Sequence, residues 1–118
     1  MNREIKFRVW DNVDWMSSPF TFRDIQSGKI GFVNDLPIMQ FTGLKDKNGT
    51  DIYEGDILKF EDTTLFKWLV VFEHGCFGIR NIGVNGYMMD FYACDSEYFF
   101  NDRTLCGNKF EHLSLLNQ

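Results

Sequence analysis

Apolar and polar residues alternate at the start of the chain, with Ile5, Phe7 and Val9 on one side and Lys6 and Arg8 on the other. That period of two marks a half-buried strand over about residues 4–10. Asp11-Asn12, Ser17-Ser18-Pro19 and Gln26-Ser27-Gly28-Lys29 supply turn chemistry around a stretch that holds Phe20 and Phe22. A further apolar run, Ile38-Met39-Gln40-Phe41-Thr42, stops at Gly43 and leads to Asn48-Gly49. Asn-Gly suits the positive φ angles of a tight hairpin turn. Glu54-Gly55-Asp56 then interrupts two apolar pieces, and a glycine there lets the backbone turn a sharp corner.

Residues 66–73, with Leu69-Val70-Val71-Phe72 in succession, read as a central strand covered on both faces. Gly75 turns the chain into a strand from Phe77 to Ile82, and Gly83, Asn85 and Gly86 punctuate it again. Over residues 88–100 helix and strand compete. Met88, Met89, Phe91, Tyr92, Tyr98, Phe99 and Phe100 fit no single helical stripe, whereas Asp95-Ser96-Glu97 suits the start of a helical turn. A last strand is expected over residues 104–110. About seven short strands with polar turns and little helix predict an all-β fold with minor α, a barrel or sandwich, and the length favours a small, partly open barrel.

Composition narrows this further. The chain has 118 residues, 44% of them hydrophobic and 17% aromatic, enough apolar surface for one core and one domain over residues 1–118. No apolar run nears the roughly 20 residues of a membrane span, and the charged N-terminus lacks the core of a signal peptide, so a cytoplasmic protein without a membrane role is expected. Cys76, Cys94 and Cys106 are odd in number and form no CxxC pair, which suits a reducing compartment. The net charge is −5, and residues 60–118 carry eight acids against four bases, a balance that opposes broad contact with a phosphate backbone and suits a basic protein partner.

Three segments, in this order and spacing, resemble the YopX family. They are Arg3-Glu4-Ile5-Lys6-Phe7-Arg8-Val9-Trp10-Asp11, the central run over residues 39–57 with Phe41-Thr42-Gly43-Leu44-Lys45-Asp46, Asn48-Gly49 and Ile52-Tyr53-Glu54-Gly55-Asp56-Ile57, and the closing Cys106-Gly107-Asn108-Lys109-Phe110-Glu111-His112. The resemblance implies a protein encoded in phages and prophages and a β-rich fold containing an SH3-like barrel. It also implies frequent self-association, and it assigns no biochemical role. On that basis the N-terminal strands occupy about residues 1–42 and the barrel-like part about residues 43–118. The family closes on a proline that this chain lacks. Physically, Asn48-Gly49 as turn, Gly55 as corner, and Phe41, Ile52 and Ile57 facing a common core explain the central block without an active site.

No residue pattern carries catalysis. His74, Cys76, Cys94, Cys106 and His112 lack a nucleophile, base and orienter arrangement, and they lack the close paired spacing of a zinc site. A calcium loop starting at Asp46 would need glycine sixth and glutamate twelfth, where Asp51 and Ile57 stand. No metal, cofactor or catalytic residue is expected, and the chain reads as a non-enzymatic interaction module that binds itself and a host protein. Trp15, Trp68, Tyr87, Tyr92 and Tyr98 are the candidate partner-binding side chains, because exposed aromatics dominate interface energetics. The alternative is single-stranded nucleic-acid binding through a basic and aromatic strip of Arg3, Lys6, Arg8 and Trp10 on the first strand.

Overall fold

Alternating apolar segments punctuated by glycine and asparagine fold into two antiparallel sheets. The computed structural model describes residues 4–13, 15–28, 36–59, 67–73, 75–82, 88–93 and 103–112. The strands β1 (Phe7–Val9), β2 (Ile38–Lys45) and β3 (Asp51–Tyr53) make a three-stranded sheet in the order β1-β2-β3. The strands β4 (Asp56–Lys59), β5 (Lys67–Glu73), β6 (Cys76–Ile82), β7 (Met88–Ala93) and β8 (Thr104–Asn108) make a five-stranded sheet in the order β7-β6-β5-β4-β8. A single helix, α1 (Phe22–Gln26), is found among the described residues. The fold is all-β with minor helix. Strand β2 runs through residue 42, so the division expected there falls inside one strand. The contested stretch begins as β7, and residues 94–100 lie outside the described residues.

Gly55 makes the corner between the sheets. Its φ of 89° lies in the left-handed region, and its backbone is fixed on both sides, its N–H donating to the Val70 carbonyl at 2.8 Å and its carbonyl accepting from the Lys109 N–H at 2.8 Å. A Cβ there would stand 3.4 Å from the Met39 sulfur. Phe41, Ile52 and Ile57 do not share a core as expected: Phe41 pairs with Tyr53, so alternation puts Ile52 on the other face of the smaller sheet, and Ile57 lies past the corner in the larger one. Ile52 packs with Leu58, Trp68, Val70 and Ile79, Phe41 with Trp10, Met39 and Tyr53, and Ile57 with Leu69 and Ile82. Strand β5, the middle of its sheet, feeds two of these clusters through alternate residues, as a strand buried on both faces must.

The hairpin between β2 and β3 also differs in detail from expectation. Gly49 has a φ of 82°, but Asn48 does not enter the left-handed region. The Gly49 N–H donates to the Asp46 carbonyl at 3.0 Å and the Asp46 N–H to the Thr50 carbonyl at 2.9 Å, which is a type I turn followed by a left-handed glycine. Asp46, buried at the turn, organises it: Oδ1 accepts from the Asn48 and Thr50 amides at 2.9 Å each, and Oδ2 accepts from the Leu105 amide at 2.9 Å. With the Lys47 N–H on the Arg103 carbonyl at 2.8 Å, these bonds fasten the hairpin tip of one sheet to β8 of the other.

Candidate interaction surface

The two faces of strand β1 are chemically opposite. Its edge is paired by the chain that follows it: the Phe7 and Phe20 backbones exchange hydrogen bonds at 2.8 Å, and Trp10 bridges to Met16. The inner face carries Lys6, Arg8 and Trp10. Lys6 Nζ reaches Asp51 at 2.7 Å and lies 4.5 Å above the Phe41 ring. The Arg8 guanidinium pairs with Asp56 and lies 4.6 Å from the centre of the Tyr53 ring. Trp10 is buried and stacks on Phe110 at 6.2 Å. The proposed nucleic-acid strip is therefore turned inward: its cations are paired with carboxylates and its tryptophan belongs to the core. Arg3 lies outside the described residues.

Electrostatics on that inner face follow from burial. Asp56 is almost fully buried, and burial pushes its carboxyl up to about 6 although Arg8 and the Tyr53 amide, at 2.7 Å, act to lower it. At Asp51 burial also acts upward, but hydrogen bonds from Lys45 and Lys6 outweigh it and hold the carboxyl below its usual range. The hydrogen bond to Asp51 raises Lys6. Burial likewise raises the Tyr53 phenol, whose oxygen has no hydrogen-bond partner among the described residues; the same is true of Arg8 Nε.

The outer face is apolar and incompletely covered. Register places Ile38 opposite Val9, and alternation puts Ile5 and Phe7 on the same side. Phe7 contacts Phe20 at 6.0 Å and Phe22 edge-on at 5.1 Å. α1 starts at a capping box, in which the Thr21 hydroxyl accepts from the Asp24 N–H at 3.3 Å and the Asp24 carboxylate accepts from the Thr21 N–H at 2.9 Å. The cap fixes this short helix with no residue buried, so Phe22 and Ile25, one turn apart, stay exposed together with Ile5 and Ile38.

Strand β1 runs on into a loop tied together by Asp11. Asp11 Oδ1 accepts from the Val13 amide at 2.8 Å and the Trp15 amide at 3.0 Å, and the Asp11 N–H donates to the Trp15 carbonyl at 3.1 Å. Asn12 takes a φ of 67° to close it. The loop holds out Val13, 76% exposed, and Trp15, 56% exposed.

Of the expected partner-binding aromatics whose exposure is described, Trp15 lies at the surface and Trp68 does not. Trp68 is buried beneath β5, with the Arg103 guanidinium 4.3 Å from its ring, because it occupies the inward register of a central strand. Tyr92 lies on β7 opposite Ile79, while Tyr87 and Tyr98 fall outside the described residues. The sequence reading missed Ile5, Phe22, Ile25 and Ile38, whose exposure depends on a helix too short to cover them. Their signal was the apolar Phe22 and Ile25 spaced at i, i+3 beside the turn at Gln26-Ser27-Gly28.

Among the described residues, nucleophiles and metal ligands do not assemble. Cys76 and Cys106 are free and half-buried, and two strands separate β6, which carries the first, from β8, which carries the second. Burial raises the Cys106 thiol. His112 is exposed, its Nδ1 accepting from the Asn108 amide at 3.1 Å, and His74 and Cys94 lie outside the described residues. Among the described residues no group of three or more His, Cys, Asp or Glu side chains is placed to hold a metal ion.

The fold has a solved counterpart. The crystal structure of protein EF1440 from Enterococcus faecalis superposes with a TM-score of 0.61 at 23% identity, covering 98% of this chain and 100% of that one. This similarity shows the shared fold. No curated protein matches the chain. A sequence profile described as "YopX protein" matches residues 17–117, a stretch that includes the central and closing segments and leaves out only the opening one. The chain belongs to the YopX protein family.

Proposed function

We propose that this chain is a non-enzymatic protein-interaction module, an accessory protein of phage or prophage origin acting in the bacterial cytoplasm. Its contact surface is the outer face of β1, β2 and α1 together with the Trp15 loop. The observation that carries the reading is the exposure of Ile5 and Ile38 on the outer face of the smaller sheet, of Phe22, packed edge-on against Phe7, and Ile25 on α1, and of Val13 and Trp15 on a loop tied together by Asp11. A pre-ordered loop loses little entropy on binding. The six side chains offer on the order of 500 Å² of apolar surface, at the upper end of what a monomer usually leaves exposed. A standard interface takes about 800 Å² from each partner, so a contact on this face alone is reversible.

A second copy of the chain is the first partner this reading names, and a host protein is the second. The family's phage and prophage setting supports the accessory role, and the free thiols of Cys76 and Cys106 suit a reducing compartment.

The test is sedimentation equilibrium over a range of concentrations, paired with capture from a host lysate, for the wild type, Phe22→Asp and Ile38→Asp. The wild type is expected to associate with rising concentration or to retain a protein that both variants lose, with circular dichroism unchanged. Equal behaviour of all three proteins in both measurements would overturn the reading.

A further inference from the structure

The chain carries a chemically reactive pair, Asn48-Gly49, at the tip of its most conspicuous turn. Both residues are exposed, and nothing stands within 4 Å of the place a Gly49 Cβ would occupy. Backbone attack on a side-chain amide is least hindered before glycine. The Gly49 amide nitrogen, deprotonated by solvent hydroxide, bonds to Asn48 Cγ, and Nδ2 takes a proton from water and leaves as ammonia. Water then adds to either carbonyl of the resulting five-membered imide and opens it to aspartate or isoaspartate. One water is consumed, one ammonia is released, and nothing is oxidised or reduced.

The folded loop opposes the first step. Attack requires rotation about the Asn48 Cα–C bond and release of the Gly49 N–H from the Asp46 carbonyl, where it is held at 3.0 Å. The same aspartate holds the Asn48 and Thr50 amides through Oδ1, and it is anchored to β8 through the Leu105 amide on Oδ2. No small wobble at Asn48 reaches the reactive geometry without breaking bonds that converge on Asp46. We propose that Asn48 is a deamidation site whose rate is set by opening of the loop over residues 46–50, with Asp46 as the group that keeps it shut.

The modification has a structural consequence. Isoaspartate adds a methylene to the main chain inside a loop whose closure depends on the Gly49 amide meeting the Asp46 carbonyl. It also adds a carboxylate close to Asp46 and Asp51. Both effects loosen the hairpin tip from β8, so the modified chain is expected to lose its Lys47–Arg103 and Asp46–Leu105 bonds.

The test follows Asn48 by peptide mass spectrometry and isoaspartate methylation, with the full chain kept in warm, mildly alkaline buffer. Three samples are compared: folded wild type, wild type in urea, and Asp46→Ala. Folded wild type is expected to react at least about tenfold more slowly than the same chain in urea, and Asp46→Ala faster than folded wild type. In the wild type alone, the ratio of folded to unfolded rates should match the exchange protection of the Gly49 amide within a few-fold. This comparison stands even where Asp46→Ala fails to fold. Equal rates in folded and unfolded wild type, or a rate ratio unrelated to Gly49 protection, would overturn the proposal.

Discussion

Single carboxylates organise much of this molecule, and their partners are remote in sequence. Asp56 meets Arg8 from 48 residues away, and Asp46 meets the Leu105 amide from 59 residues away. Spacing argues against a calcium loop starting at Asp46, yet nothing local reveals that its second oxygen accepts the remote Leu105 amide. Gly55 was legible because a corner glycine announces itself between two apolar runs. Asp56, the residue after it, was not, because its burial exists only once β1 has folded over it. Its raised carboxyl has a definite consequence for stability. A group that holds its proton more tightly in the folded chain stabilises the fold while protonated, so the contribution is complete below 3.8 and is lost as pH rises through about 6. The amount is on the order of 3 kcal/mol. Urea unfolding between those two pH values is expected to show the wild type losing stability relative to Asp56→Asn as pH rises, and parallel curves would refute it. Asp51, lowered instead, contributes above its ordinary 3.8 and loses that contribution as pH falls below it, so the two trends do not overlap.

At the scale of elements, the period of two in residues 4–10 located β1 but not the role of its faces. Alternation states which residues share a side and is silent on what covers each side. Here the cations turn inward because Asp51 and Asp56 wait on β3 and β4 and because Phe41 and Tyr53 offer ring faces, whereas the apolar side is left to a helix of five residues. Removing one charge of the inner pair strands the other. Arg8→Met is expected to cost about 3–5 kcal/mol above pH 6, and less in acid, where Asp56 neutralises itself. Asn at position 56 keeps an acceptor for the Tyr53 amide without a charge, so Arg8→Met with Asp56→Asn should recover most of that loss. A double-mutant cycle by urea unfolding checks the coupling, and additive losses would show that the pair does not hold β1 in place.

For the whole molecule, the all-β class and the family were readable from strand spacing and from three sequence blocks, while the division into sheets was not. That division depends on Gly55 redirecting the chain and, with the alternation of faces along β3, makes residues of one motif serve three separate clusters. The net charge of −5 and the inward turn of Lys6 and Arg8 act together on nucleic acid. Titration with single-stranded oligonucleotides at low salt is expected to give no measurable binding, and a salt-sensitive isotherm would restore the basic strip as a site.

The three tryptophans fall into three different environments: Trp10 in a cluster of the smaller sheet, Trp68 in the cluster that joins the larger sheet to Ile52 of β3, and Trp15 on the exterior. The chain thus contains its own optical reporters. A soluble quencher will reach the Trp15 indole and spare the other two, so shielding of the quenchable fraction signals an occupied outer face. Emission from Trp10 and Trp68, isolated in single-tryptophan variants, will show whether the two sheets come apart together or in turn.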